Sequence, residues 1–234
     1  MFALTPMRKT LFTLLLLLTG FFSRAQSEKE ITISIQPKFQ NSALELGKKY
    51  FTSTSDTIQF ETLRFYLSSF SFYKNEKQVF SETNSYHLID VSAEKTLTIK
   101  IKVPASLQFD AIHFNLGVDS TTNVSGAMGG DLDPINGMYW TWQSGYINLK
   151  LEGISSLCNT RNHEFQFHIG GYAAPNNSVQ HVILKTQSSD SIIIELPLDI
   201  FFIETDLEKI NSMMIPGNEA IELAARIAKL FRIK

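Results

Sequence analysis

HEFQFHI, residues 163–169, alternates polar and apolar side chains along its length. In an extended backbone Phe165 and Phe167 share one face, while Glu164, Gln166 and His168 share the other. A helix would scatter the same residues around its axis, so this stretch reads as a half-buried strand. AIHFNL, residues 111–116, repeats the pattern: Ile112, Phe114 and Leu116 face one way, His113 and Asn115 the other. Working outward, strands are expected at 30–39, 61–73, 85–91, 96–103, 111–118, 146–152, 164–170, 179–186 and 191–196. All are rich in Ile, Val, Phe, Tyr or Thr. Polar turns such as Lys74-Asn75-Glu76 and Pro175-Asn176-Asn177 separate them. Many short strands at this spacing predict an all-β fold, an antiparallel β-sandwich.

Two stretches depart from the strand pattern. Residues 218–232 place Ile221, Leu223, Ala224, Ile227, Ala228, Leu230 and Phe231 on a broad apolar stripe. This predicts a C-terminal helix capped by Asn218, with Lys229 and Arg232 in its last turn. Residues 119–143 form a connection too long for a simple turn, and loops of that length are usually functional. The loop carries Asp119, Asn123, Asp131, Asp133 and Asn136 among glycines. Such oxygen-rich side chains either cap turns or bind calcium, although the spacing matches no EF-hand.

The N-terminus reads as a leader. Arg8 and Lys9 precede an apolar run from Leu11 to Phe22, followed by Ser23-Arg24-Ala25. That is the pattern of a secretory signal peptide over residues 1–25, cut before Gln26, with an apolar run too short to be a comfortable membrane span. Residues 26–234 are then expected to form one exported domain, periplasmic or secreted. Removing the leader takes Arg8, Lys9 and Arg24 from the 21 bases and none of the 23 acids, leaving a formal charge of −5. Such a balance offers no electrostatic footprint for nucleic acid. Cys158 is the single cysteine and has no internal disulfide partner.

The chain holds two tryptophans, Trp140 and Trp142, in DLDPINGMYWTWQSGYINLKLEG, residues 131–153. Either they plug a core, or they belong to a redox or ligand site behind the polar turn. The five histidines form no H-x-x-H or H-E-x-x-H pattern, so spacing alone makes no metal centre. His113 and His168 nevertheless stand on the polar sides of strands flanking the long loop, and imidazole suits copper and zinc. There is no nucleophile elbow, phosphate loop or dinucleotide fingerprint, so the chain is not expected to be an enzyme.

The order FYLSSF (65–70), YHLID (86–90), FNLGVDS (114–120), Asn123, LDP (132–134), MYWTWQSGY (138–146), KLEG (150–153) and FHIGGY (167–172) resembles the MbnP-like family. The tail MIPGNEAIELAARIAKLF (214–231) is similar to that family's closing segment. The family is named for a periplasmic copper-binding protein of methanobactin operons. The resemblance implies a β-sandwich working beside a di-haem enzyme related to cytochrome c peroxidases, which oxidises a tryptophan to kynurenine. It further implies that the modified ring and histidines bind copper. Trp140 and Trp142 match the tryptophan motif, and His168 matches its histidine. A second histidine is expected after the loop asparagine, but Val124 follows Asn123. His113, His87 or Met128 would have to replace it. The competing expectation is a metal-free recognition module, with Tyr139, Trp140 and Trp142 as an aromatic platform.

Overall fold

The computed structural model describes residues 27–52, 55–143 and 145–234. The leader expected at residues 1–25 lies outside them. The long strands come first in importance: β1 (Glu28–Phe39), followed by β2 (Ser42–Ala43), β3 (Lys49–Phe51) and β4 (Thr57–Lys74). Then come β5 (Lys77–Ser81), β6 (Tyr86–Asp90), β7 (Thr98–Pro104) and β8 (Ala111–Leu116). The second half holds β9 (Tyr139–Trp140), β10 (Gly145–Ser155), β11 (Glu164–Gly170), β12 (Gln180–Lys185) and β13 (Ser191–Pro197). Two short pieces, β14 (Ser212–Met213) and β15 (Arg232–Ile233), complete the set. The helices are α1 (Ser120–Val124), α2 (Asp199–Glu204) and α3 (Asn218–Ala228). Every segment expected from alternation is a strand; the short ones lack a period long enough to read.

The strands form two sheets. The smaller runs β15-β13-β1, with β7 and β2 sharing the far edge of β1. The larger runs β12-β8-β4-β10-β11-β14, with β3, β5 and β6 paired onto β4 and β9 onto β10. Most pairings are antiparallel, as expected of a sandwich. Two are parallel: β1 with β13, and β11 with β14. The eighteen-residue β4 is the spine of the larger sheet. It turns into β5 through Asn75 and Glu76, whose φ values of 49° and 63° give the twisted two-residue turn hairpins favour.

Alternation determines what the sheets bury between them. Ile31, Ile33 and Ile35 of β1, and Phe60, Leu63, Phe65 and Leu67 of β4, lie in one apolar core. Phe60 sits at its aromatic centre, in edge contact with Phe39, Tyr50, Phe165 and Phe202. Helix α3 adds Ala220, Leu223, Ala224 and Ile227, packing against β11 and β12. Two details of that helix differ from expectation. Gly217 takes the N-cap position and no side chain caps the helix. The helix also stops at Ala228, and Arg232 lies instead on β15, where Nε and Nη2 donate to Glu195 Oε2. Phe231, just past the helix, turns inward onto Phe65 and Phe114.

The other face of the larger sheet is not all open to water. Tyr66 points away from the main core yet is fully buried, because residues 117–143 fold back over it. Far from being a plain loop, this segment contains α1 and two 3-10 turns, Gly130–Leu132 and Pro134–Asn136. It closes a second, smaller core of Tyr66, Leu88, Val118, Leu132, Met138, Trp140, Tyr146 and Ile147. No described helix is long and apolar enough to cross a membrane.

Candidate functional site

The second core is built around Trp140. Strand β9 pairs with the start of β10, Trp140 opposite Gly145 and Tyr139 opposite Tyr146. This hairpin lays the Trp140 indole over Gly170 at the end of β11. A Cβ at Gly170 would lie 2.6 Å from Cζ3 of the indole and 2.8 Å from the Tyr146 carbonyl oxygen. Only glycine leaves room for that contact. Trp140 is therefore buried, at 6% exposure, while Trp142 in the following turn is 63% exposed. Their ring centres are 5.4 Å apart at 42°. The pair is one sealed indole with a second indole standing over it at the surface.

His168 is two residues before Gly170 on the same face of β11, and it too is buried. Its Nε2 lies 2.7 Å from Glu152 Oε1 on neighbouring β10. The hydrogen bond from His168 holds the Glu152 carboxyl down to about 2, against the opposing effect of burial and with help from Thr62 and Lys150. An ionised carboxylate only accepts, so Nε2 carries a proton, and in the neutral tautomer with that proton the lone pair is on Nδ1. That is the arrangement by which carboxylates orient metal-binding imidazoles.

The cap over Trp140 is held by directional bonds. Tyr66 Oη donates to the Asp131 carbonyl at 2.9 Å, and Tyr146 Oη donates to the Leu132 carbonyl at 3.0 Å. Burial pushes both phenols upward, with each reinforced by a neighbouring tyrosine. Asn123 clamps α1 to β10: its Nδ2 donates to the Val118 and Asp119 carbonyls and its Oδ1 accepts the Tyr146 N–H. Asp119 caps α1 by accepting from Thr122 N and takes a 2.6 Å bond from Tyr86 Oη. Burial alone would raise the Asp119 carboxyl, but the Tyr86 and Thr122 bonds outweigh it and hold it below its ordinary value.

The other oxygen-rich residues of this segment also bond to backbone. Asp131 Oδ2 accepts the Leu88 N–H, and Asp133 Oδ1 accepts the Ile135 N–H. Asp119, Asn123, Asp131 and Asp133 thus each fasten backbone, as turn-capping residues do. Among the described residues no three His, Cys, Asp or Glu side chains gather as metal ligands.

The structure also sorts the histidines. His113 on β8 and His168 on β11 are three strand steps apart, about 14 Å across the sheet. Their register partners on β4, Ser71 and (through Lys150) Arg64, add roughly 20 Å along it. The expected convergence of His113 on His168 is corrected by that register. His87 is bonded to Glu82 at 2.8 Å and meets the ring of Phe70. Met128 is exposed on the cap, its N–H donating to Tyr146 Oη. The aromatic platform is likewise unassembled, since Trp140 is buried and Tyr139 is half-buried in edge contact with Tyr146. Burial raises the Cys158 thiol to about 11, leaving it inert at neutral pH.

Gly170, Glu152 and His181 were not singled out from sequence. A glycine closing a strand in FHIGG signals close approach of another group. Glu152 and His168 lie on neighbouring strands, and His181 sits on the polar face of β12. Their partners depend on register, which no local pattern carries.

A model of the MbnP family matches residues 28–215. Among solved structures, MbnP from Methylosinus trichosporium superposes with a TM-score of 0.60 at 15% identity, covering 80% of each chain. At that identity the likeness is one of fold. No curated protein sequence matches.

Proposed function

Because the chain belongs to the MbnP family, we propose that it is an exported scaffold whose Trp140 is oxidised by a di-haem peroxidase-like partner. In this reading the oxidised ring and His168 together hold a copper ion. One observation carries it: Trp140 is sealed onto Gly170, two residues along the same face of β11 from His168, whose Nε2 is bonded to Glu152. The unmodified side chains do not by themselves fit copper. They offer a single imidazole nitrogen, and an indole has no lone pair to give. With two peroxides as the partner's oxidant, the indole ring opens to N-formylkynurenine with release of two waters, and hydrolysis then removes the former C2 as formate; the resulting kynurenine would supply an amine and a ketone at that position. Copper would contribute a redox-active or transportable ion; the chain's own residues orient and shelter it. Glu152 fixes the His168 tautomer, and the tyrosine-lined cap excludes water.

Trp142 has a separate role in this reading. It is the ring a docked partner reaches first, and it passes oxidising equivalents to Trp140 behind it. The chain is the substrate of that reaction and not its catalyst.

Co-production with the partner, followed by intact-mass and copper analysis, tests the proposal. The wild type should gain the mass change of one tryptophan-to-kynurenine conversion and bind copper. Trp140→Phe should gain neither, and Trp142→Phe should be modified more slowly at Trp140. His168→Gln should be modified but lose copper. Full modification of Trp140→Phe would overturn the assignment.

A further inference from the structure

The larger sheet carries a second histidine arrangement at its opposite end, on strands β8 and β12. His113 and His181 are diagonal neighbours there, since His181 pairs with Asn115 and His113 with Ile183. His181 Nε2 lies 3.3 Å from His113 Nδ1, and the ring centres are 5.2 Å apart at 71°. A tetrahedral ion bound at about 2.0–2.1 Å to two imidazoles sets the nitrogens about 3.3 Å and the ring centres about 5.2 Å apart. A straight hydrogen bond between the same nitrogens would hold the ring centres farther apart, at about 5.6 Å. The two rings converge as chelating rings do.

Each ring is fixed by something other than its partner. Tyr73 stacks on His113 with centres 3.7 Å apart and planes 10° from parallel. Asn115 Oδ1 lies 3.0 Å from His181 Nδ1. As acceptor it places the proton on Nδ1, which leaves the Nε2 lone pair facing His113. This is the outer-shell support that ligating histidines receive. Cavities of about 440 and 450 Å³ flank the pair, one lined by His181 and Asn115 and the other by His113 and Tyr73. They leave space for the ion's remaining ligands.

We propose that His113 and His181 form an open two-histidine site for a divalent first-row metal ion, with water or an exogenous ligand completing a tetrahedron. For both nitrogens to ligate, His113 carries its proton on Nε2 and His181 on Nδ1. The site is independent of Trp140 and His168 and needs no modified tryptophan.

Zinc(II) is the probe, titrated into unmodified residues 26–234 against a chromophoric chelator. The wild type and His168→Gln should each bind one zinc at this site. His113→Ala and His181→Ala should each lose more than about tenfold in affinity. Cobalt(II) in the same site should show the intense absorption of tetrahedral coordination. His181 is exposed, so His181→Ala tests the site even if loss of the Tyr73 stack perturbs His113→Ala. Unchanged affinity in His181→Ala, absence of zinc binding by the wild type, or loss in His168→Gln alone would overturn the proposal. None of these outcomes bears on copper at Trp140, so failure of one site is distinguishable from failure of the other.

Discussion

The two cores of this protein are built on opposite principles. Between the sheets, Ile, Leu and Phe side chains meet with almost no polar atom among them, and area removed from water supplies the stability. Beneath the cap, the buried rings are mostly tyrosine and tryptophan, and each buried hydroxyl is aimed at a named carbonyl. Hydrophobic contact tolerates many arrangements, whereas a satisfied polar network permits few. The inner core makes the molecule stable. The outer one holds a single indole in a single place.

Four measurements sharpen that contrast. Phe60→Ala in the inner core should have the largest effect, costing about 3–5 kcal/mol in urea unfolding through the cavity it leaves. Gly170→Ala should cost about 1–3 kcal/mol by forcing a Cβ into the Trp140 ring and a backbone oxygen. Its diagnostic is a red shift in tryptophan emission as Trp140 is pushed toward water. A loss as large as that of Phe60→Ala would mean the two cores melt as one.

The third concerns acid. The folded-state pKa of Asp119 is depressed, so its contribution is present above the unfolded-state value and lost as pH falls through the folded one. Near-ultraviolet circular dichroism should report the cap loosening below the ordinary Asp range while far-ultraviolet strand signal persists. Asp119→Asn keeps an N-cap acceptor, worth about 1 kcal/mol, but should abolish that acid transition. Trp142→Ala should change stability by less than about 0.5 kcal/mol and leave the buried emission of Trp140 intact. A larger loss would place Trp142 inside the second core after all.

Sequence periodicity located the strands because one face of each meets the inner core, as Phe165 and Phe167 show. It failed where both faces are buried. Tyr66 looks like an outward residue of β4, and only the returning cap makes it interior. It also labelled His168 a residue of the polar face, yet that residue is buried against Glu152. Pairing between distant strands is equally invisible locally. His113 was matched with His168, but register gives it His181 as its neighbour. The two tryptophans were legible as a pair, but not that a hairpin would bury one and expose the other.

The parallel pairing of β1 with β13 has a consequence for how the chain is made. Thr32 aligns with Ser191, so one side of β1 stays unsatisfied until the ribosome has added the residues up to Ser191. At about 5–20 residues per second, that interval lasts on the order of ten seconds or more. The small sheet therefore cannot close until residues 191–197 have been made, and until then β1 has only its antiparallel partners to pair with.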